Sequence, residues 1–142
     1  MGRILKKLSI LICSLNDRKK ELQRLIEKLE PQINDKVEIL IEKDDGSIAI
    51  GKKRNNLLER STGQYVCFVD DDDLVSDTYV KDILQALENC PQCTHCSLKG
   101  IFTQDGKNPV QFEHSNRYKV WRKNGNMYER PVNHLNVVRK DI

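Results

Sequence analysis

The sequence predicts an α/β domain with a mostly parallel sheet, because three strand-length apolar runs alternate with three helical patterns. The apolar runs are residues 8–13, 37–42 and 65–69. The third run is apolar without alternation, which is typical of a strand that is covered on both faces. The order βαβαβα requires crossover connections, which are right-handed, so we expect the three strands to lie parallel in one sheet.

Helices are predicted where apolar residues recur every three and four positions between and after these strands. Pro31 cannot continue the first helix, and Ser76 and Asp77 favour the N-cap of the last one. The predicted helices cover residues 22–29, about 47–60 (from Ser47 to Arg60, closed by Gly63) and 80–87.

The pattern changes after Cys90, where strands and turns follow one another without helices. No repeat, low-complexity segment or linker interrupts the chain. We therefore predict a single domain, residues 1–142, in which the parallel sheet carries a C-terminal antiparallel extension. The extension is predicted to contain strands at 98–103, 109–112 and 118–121, with turns at 104–107 and 124–126.

The composition is that of a globular protein with an uneven distribution of charge. The net charge is +3, but nine Lys/Arg stand against four Asp/Glu from Lys99 onward. This bias favours an anionic ligand near the C-terminal part, although a solvated face is its more common meaning. Because no apolar run reaches about 18 residues and the apolar start lacks a cleavage site, we expect a cytoplasmic protein without an integral membrane segment.

The five cysteines do not indicate a secreted disulfide framework, because their number is odd. Cys90, Cys93 and Cys96 have the spacing of metal ligands and His95 lies among them, but a second cysteine pair is missing. We expect reduced, unliganded loop cysteines, with a metal site as the alternative.

The strongest chemical signal is the run of four aspartates at residues 70–73, directly after the buried strand 65–69. Ligands of open parallel sheets bind at the carboxyl ends of the strands. Four adjacent carboxylates repel each other unless a cation neutralises them, and Mg²⁺ or Mn²⁺ match their oxygen ligands. The alternative is a solvated acidic turn that begins the next helix.

Two further polar turns follow the other predicted strands, at residues 14–17 and 43–47. The carboxyl ends of parallel strands share one edge of the sheet, so all three turns are expected to border one crevice. Each turn alone is weak evidence, because ordinary loops are also polar.

Five segments together resemble the family 2 glycosyltransferases, which have the GT-A fold. Residues 8–16 resemble the opening strand and turn of the family, and residues 37–47 resemble its second strand, which ends in Asp-Asp-Gly-Ser. Arg54-Asn55 resembles its Arg-Asn helix, and residues 63–73 resemble its Gly-Glu-Tyr strand with the following Asp-X-Asp metal motif. Residues 133–139 resemble a downstream segment in which a His approaches the metal.

The resemblance is close over residues 8–88 and loose over residues 97–139. It divides the domain into a nucleotide-binding part, residues 1–96, and an acceptor-side part, residues 97–142. It implies an inverting transfer of a sugar from a nucleotide-sugar, with a UDP-sugar favoured, to a carbohydrate acceptor.

The resemblance also implies which residues bind the nucleotide. Asp45 would accept a hydrogen bond from a uracil-like base, and Asp71 would lie against the ribose or donor sugar. Lys53 or Arg54 would neutralise phosphate. The backbone that lines the base and ribose would come from Ser14, Leu15 and Asn16.

For the metal, the resemblance implies Mn²⁺ or Mg²⁺ bound by three side chains. Asp72 would be the main metal ligand. Asp70 would be the first carboxylate of the Asp-X-Asp motif and would also contact the nucleotide-sugar donor. His134 would complete the metal or diphosphate side of the site. The metal would act as a Lewis acid that stabilises the departing nucleoside diphosphate.

Two departures from the family pattern bear on the site. Leu15 stands where an aromatic residue often stacks on the base, so only apolar contact remains. An inverting transfer needs a carboxylate that deprotonates the acceptor; the family supplies it beyond the His134 segment, and Ile142 ends this chain eight residues later. We therefore expect a chain that stops before the catalytic base, which stays unknown, since Glu113 and Glu129 are expected on the surface.

Three isolated aromatic residues receive structural interpretations. Trp121 is predicted to lie in the core, with an acceptor-side position as the alternative. His95 and His114 are predicted at the surface.

Two other functions compete with sugar transfer. The chain could be a catalytically incomplete module that binds a nucleotide-sugar without transferring it. Nucleic-acid binding is disfavoured, because the net charge is low and aromatic and basic residues interleave only around residues 118–122.

Overall fold

The strands form two four-stranded sheets in the computed structural model. The structure describes residues 5–104, 107–115, 117–125, 127–131 and 133–141, without the side chains of 102–104 and 107–108. The first half alternates strands with helices, and the second half contains strands alone. In chain order the elements are β1 (Lys6–Leu15), α1 (Lys19–Leu29), β2 (Val37–Asp44), α2 (Ile50–Arg60), β3 (Gly63–Phe68), α3 (Tyr79–Asn89), β4 (Leu98–Gln104), β5 (Lys107–His114), β6 (Arg122–Asn124), β7 (Met127–Arg130) and β8 (Val138–Arg139).

The first sheet has the order β2-β1-β3-β8. Its three long strands are parallel, with Leu8 of β1 opposite Val37 of β2 and Tyr65 of β3. This confirms the parallel sheet that the alternation predicted. The short strand β8 pairs antiparallel with β3, on the side of β3 that faces away from β1. No sequence pattern predicted this pairing.

Helices cover this sheet on both faces because successive strand residues point to opposite sides. On one face, Ile10 and Tyr65 belong to a buried cluster with Leu25 of α1 and Leu87 of α3. On the other, Leu57 of α2 packs with Leu11 and Val66. The apolar run of β3 is therefore buried on both sides, as its lack of alternation predicted. Within the described residues, no helix combines the length and the hydropathy needed to cross a bilayer.

The second helix begins at Ile50 rather than at Ser47 as predicted. The backbone N–H groups of Gly46 and Ile48 donate to the carboxylate of Asp44, which holds the preceding residues in a loop. Gly46 has φ 101°, a left-handed conformation that an α-helix cannot contain. At the other end, Gly63 starts β3 instead of closing the helix.

The third helix begins at Tyr79 with Thr78 as its N-cap, so the predicted capping by Ser76 or Asp77 is wrong. Asp77 instead forms an ion pair with Lys28, whose helix packs on the same face of the sheet. After the first helix, Pro31 lies in a 3-10 turn, Glu30–Gln32, which ends the helical segment as predicted.

The second sheet has the order β4-β5-β7-β6. The pairs β4/β5 and β6/β7 are antiparallel, as expected of the extension, whereas β5 and β7 pair in parallel. The predicted strand at 118–121 is wrong, because regular pairing starts only at Arg122. Gly125 forms the predicted turn with φ 59°, and its neighbour Asn126 lies outside the described residues.

The C-terminal segment returns from the second sheet to the first. Val138 pairs with Val66 and Arg139 with Tyr65, while His95 forms a bridge with Val138 from the other side. The backbone N–H of Phe68 also donates to the carbonyl of His134 at 3.2 Å. The segment therefore lies along the edge of β3 and reaches the end at which the four aspartates begin.

The prediction of reduced loop cysteines is wrong for Cys90 and Cys93, which form a disulfide with a Cα–Cα distance of 5.4 Å. A tight turn makes this possible, because the N–H of Cys93 donates to the carbonyl of Cys90 at 3.0 Å. Cys96 is free and packs against the core of the first sheet. The three sulfur atoms therefore do not converge on a metal site.

Candidate functional site

The four aspartates occupy a turn at the carboxyl end of β3. The N–H of Val69 donates to the carbonyl of Leu11 at 3.0 Å, which holds this end of β3 beside β1. The N–H of Asp73 donates to the carbonyl of Asp70, also at 3.0 Å, and closes the turn. As a result, carboxylate oxygens of Asp70, Asp72 and Asp73 lie within 4.8 Å of one another.

Asp71 points into the fold and is only 7% exposed. Its Oδ2 accepts hydrogen bonds from the hydroxyl of Ser14 and from Nε of Arg18, both at 2.8 Å. Arg18 also reaches Asp72, with an Nη2–Oδ2 distance of 3.6 Å. This arginine ties the turn after β1 to the turn after β3 and neutralises part of the acidic charge.

Arg18 was not among the predicted site residues. Its bond to Asp71 and the charge of that carboxylate raise the pKa of the guanidinium above its ordinary value. The available signal was a cation directly after the first predicted turn, residues 14–17, at the edge where the acidic turn was expected. Such a cation is usually solvated, and only the spatial neighbourhood of the two turns distinguishes it.

The carboxyl of Asp73 lies in an environment that raises its pKa. Burial, followed by the charges of Asp70, Asp72 and Asp71, raises the pKa of its carboxyl to about 6. Both causes oppose ionisation, since burial removes water and the adjacent charges have the same sign. A bound cation would offset both by stabilising the ionised carboxylates, so the turn is electrostatically suited to bind one.

His134 lies beside the acidic turn. Its Nε2 is 3.4 Å from Oδ1 of Asp70, and its side chain is 31% exposed. The position follows from the pairing of β8 with β3, which directs the preceding residues across the carboxyl edge of the sheet. The structure therefore brings together His134 and Asp70, two of the three predicted metal ligands, and places Asp72 in the same turn.

The second acidic turn contains two aspartates in different environments. Asp44 is buried and accepts a hydrogen bond from Nζ of Lys53 at 2.7 Å. That bond, with the N–H of Ile48, lowers the pKa of Asp44. Asp45 is exposed, and its Oδ1 accepts only the N–H of Ser47 at 3.0 Å among the described groups. The more deeply placed carboxylate is thus Asp44, which was not among the predicted site residues.

Of the two predicted phosphate-binding cations, Lys53 is buried, and its ammonium is bound by groups of the protein itself. It is 4% exposed, and its ammonium also donates to the carbonyl of Ser14 at 3.0 Å. The guanidinium of Arg54 lies over the ring of Phe68, 5.6 Å from its centroid. Arg54 forms no ion pair with a carboxylate within the part of the chain that the structure describes.

A cavity of about 500 Å³ opens between the three turns. Apolar side chains form one part of its wall, among them Leu15, Ile48 and Phe68, and charged side chains form another. Asn16, Asp45 and His134 are not part of the wall. The predicted site residues that line it are Ser14, Leu15, Lys53, Arg54, Asp70, Asp71 and Asp72.

Glu113 and Glu129 are not surface residues as predicted, since they are 3% and 4% exposed. They are direct partners across β5 and β7, and Arg122 binds Glu129 with an Nε–Oε1 distance of 2.6 Å. The hydroxyl of Tyr118 donates to Glu113 and lowers its pKa. A carboxylate with a lowered pKa is a weaker base, so neither glutamate is a good candidate for the missing catalytic group.

The predictions for Trp121 and His114 are reversed in the structure. Trp121 is 54% exposed, because it precedes β6 in an irregular loop and rests on Tyr128 rather than in the core. His114 is 2% exposed, since Asn136 of the returning segment donates to its carbonyl. His95 is half-buried, and its Nδ1 lies 3.2 Å from Oγ1 of Thr94.

Comparison with known proteins adds two findings. Residues 47–138 match the family described as Glycosyl transferase family 2, whereas no curated protein sequence matches the chain. Among solved structures, residues 1–349 of Staphylococcus aureus TarS superpose with a TM-score of 0.60 at 16% sequence identity, over 94% of this chain and 47% of that one. The likeness shows the expected GT-A-like fold, and the chain spans about half the length of the TarS chain.

Proposed function

Because the chain belongs to glycosyl transferase family 2, we propose that it binds a nucleotide-sugar, a UDP-sugar in particular, and transfers the sugar to a carbohydrate acceptor with inversion. The observation that carries the proposal is the acidic turn at the mouth of the cavity, with His134 next to Asp70. In an open α/β sheet this edge is where ligands bind.

The acidic turn fits a divalent cation. The side chains of Asp70 and Asp72 are 47% and 61% exposed, so their oxygens are free to coordinate. Such oxygens suit Mg²⁺ or Mn²⁺, and an imidazole at His134 favours Mn²⁺ because nitrogen is a softer ligand. A bound ion would stabilise the negative charge of the departing diphosphate.

The cavity suits a nucleotide in size and lining, since small-molecule sites usually measure about 300–1,000 Å³. We propose that the base lies against Leu15 and Ile48, whose side chains supply apolar contact in place of aromatic stacking. Asp45 remains the proposed partner of the base N–H. Its loop carries Gly46 and Ile48 of the cavity wall, and its carboxylate would have to turn from the N–H of Ser47 toward the base.

For the phosphates we propose Arg18 and Arg54 as the cationic partners. Both line the cavity, and guanidinium groups bind phosphate in a forked geometry. Lys53 would act by positioning: it holds Asp44 and the carbonyl of Ser14, and thereby the two turns between which the nucleotide lies. This changes the proposed role of Lys53 from direct to indirect.

A second candidate function is donor binding without transfer. It is favoured by the state of Glu113 and Glu129, which are buried and bound by cations. Hydrolysis of UDP-glucose or UDP-N-acetylglucosamine without an acceptor separates the two functions, because a competent donor site releases UDP slowly to water.

The proposal is tested by calorimetric titration of UDP with Mn²⁺, with Mg²⁺ and without metal. We expect metal-dependent binding that Asp72→Ala weakens at least about tenfold, because even the loss of a group that only orients a metal ligand has an effect of that size. Asp35→Ala is the matched control, because Asp35 is exposed and precedes β2, at the opposite end of the strands. Equal UDP affinity with and without metal would contradict the metal site.

A further inference from the structure

A pair of aromatic rings lies on one face of the second sheet, with Trp121 exposed and Tyr128 half-buried. The ring centroids of Trp121 and Tyr128 are 4.6 Å apart with an interplanar angle of 37°. Trp121 is 54% exposed, and the chain contains no other tryptophan. An aromatic side chain of this size that stays in contact with water marks a candidate binding surface.

Two cations flank this pair. Nζ of Lys123 lies 5.8 Å from the centroid of Tyr128, and Cζ of Arg130 lies 6.0 Å from that of Trp121. Neither forms an ion pair with a carboxylate among the described residues. We call the four residues Trp121, Lys123, Tyr128 and Arg130 the aromatic-cationic face.

On the opposite side of the same sheet the cations are paired with carboxylates. Strand alternation directs Arg122 and Glu129 away from the aromatic-cationic face, and there the two pair at 2.6 Å. Glu113 lies next to Glu129 and is bound by Lys99 and Arg117. The cations on the opposite side are thus bound to carboxylates, whereas Lys123 and Arg130 beside the aromatic pair form no such ion pair among the described residues.

The aromatic-cationic face continues toward the acidic turn. His114 is the partner of Arg130 across β5 and β7, so the two share one side of the sheet. Nδ2 of Asn136, two residues after His134, donates to the carbonyl of His114 at 3.3 Å. His134 in turn lies 3.4 Å from Asp70. The face is therefore linked, through His114 and Asn136, to the segment that places His134 beside the acidic turn.

We propose that the aromatic-cationic face binds the acceptor, and that the acceptor is a saccharide carrying a negatively charged carboxylate or phosphate group. The proposal rests on the proposed function and adds the chemical class of its second substrate. The C–H groups of a sugar ring carry partial positive charge and stack on the negative face of an aromatic ring. Lys123 and Arg130 would bind the anionic group, for which arginine offers a forked pair of donors.

A second copy of the chain fits this face less well. A two-fold contact would set the same patch against itself. It would bring Lys123 and Arg130 toward their own copies, and like charges in contact destabilise an interface. An anionic saccharide satisfies both the rings and the cations.

The fluorescence of Trp121 reports binding directly, since no other tryptophan contributes. The probes are two matched pairs: tetragalacturonic acid with its methyl ester, and mannopentaose phosphate with mannopentaose. We expect at least one charged probe to change the Trp121 emission saturably. Its affinity should be about tenfold higher than that of its neutral partner, which is the gain expected from one good charged hydrogen bond. The pair that shows the difference identifies carboxylate or phosphate.

Variants distinguish the contribution of the cations to saccharide binding from that of the aromatic rings. Arg130→Gln and Lys123→Gln should weaken the charged probe about tenfold and leave the neutral one unchanged. Tyr128→Leu should weaken both. Arg24→Gln is the control, because Arg24 is an exposed cation on α1 and should change neither. Circular dichroism and thermal melting establish that each variant is folded.

Four results would overturn the inference: equal affinity for charged and neutral probes, no emission change with any saccharide, tighter binding of an eight-nucleotide oligothymidylate, or burial of Trp121 in a dimer detected by sedimentation. UDP titration with Mn²⁺ on the same samples distinguishes the two proposals. If the protein binds a saccharide but not UDP, the proposed function is contradicted. If it binds UDP but no saccharide, the proposed role of the aromatic-cationic face is contradicted.

Discussion

His134 and Asp70 approach within 3.4 Å although 64 residues separate them along the chain. The contact exists because β8 pairs antiparallel with β3 and directs the residues before it across the end of the sheet. An imidazole is thereby placed beside a carboxylate at the position where the resemblance expected a metal. Because of this placement, a substitution of His134 tests the proposed metal site without altering the aspartates.

His134→Ala should weaken Mn²⁺-dependent UDP binding by about tenfold, the lower end of the effect of removing a metal-site partner. The loss should be smaller with Mg²⁺, which prefers oxygen ligands. Calorimetry with each ion measures the difference. His95→Ala is the control, because its half-buried ring contacts Thr94 rather than the acidic turn. An unchanged metal dependence would leave His134 with a structural role alone.

Arg18→Gln should change the binding of bare metal and of nucleotide in opposite directions. Arg18 supplies positive charge to Asp71 and Asp72, so its loss makes the turn more negative and should strengthen Mn²⁺ binding without nucleotide. The same loss removes a proposed phosphate partner and should weaken UDP binding about tenfold or more. Paramagnetic relaxation of water protons measures the first effect and calorimetry the second. Weakening of both would show that Arg18 acts by holding the turn in place.

Asp45→Ala should weaken UDP binding about tenfold and leave Mn²⁺-dependent binding of inorganic diphosphate unchanged, because only the base loses its acceptor. The exposed carboxylate can be removed without leaving a buried partner. Comparing UDP with CDP gives a second measure, since the variant should lose its preference between the bases. A preference that survives intact would exclude Asp45 from base recognition.

Asp44 should make the stability of the fold depend on pH. Its folded-state pKa lies below the ordinary value of about 3.9, because Lys53 and the N–H of Ile48 bind its ionised form. The stabilisation is therefore present above that value and is lost as the pH falls through the folded pKa, since the unfolded chain takes up the proton more readily. Urea denaturation between pH 7 and pH 3 measures the decline, which should be smaller in Asp44→Asn. An identical decline in both proteins would contradict this assignment.

Local patterns predicted much of the first sheet. The apolar runs at 8–13, 37–42 and 65–69 were sufficient for three parallel strands, because strand periodicity and burial are encoded within a few residues. The helix boundaries were less accurate. The start of α2 depends on the carboxylate of Asp44 bonding to Gly46 and Ile48, a competition between side chain and helix that periodicity does not contain.

The candidate site divides in the same way. The aspartates at 70–73 could be assigned to a strand end from the sequence, because their position after a buried run determines which edge of a parallel sheet they occupy. The different states of the four carboxylates could not be assigned. Asp71 is bound by Ser14 and Arg18, which are distant in sequence. The pKa of Asp73 is raised first by burial, which tertiary packing sets, and only then by the adjacent aspartates.

The sequence by itself determined the parallel α/β core, the acidic turn at its carboxyl edge and the resemblance to a glycosyltransferase family. These depend on periodicity and on short motifs, which are local properties of the chain. Only the tertiary structure decided that His134 lies beside Asp70, that Lys53 is buried against Asp44 and that Trp121 is exposed. The first depends on the return of the C-terminal segment across the sheet, the second on the packing of α2 against the turns after β1 and β2, and the third on the loop that precedes β6. Burial and charge are set by tertiary packing of this kind, so no local pattern contains them.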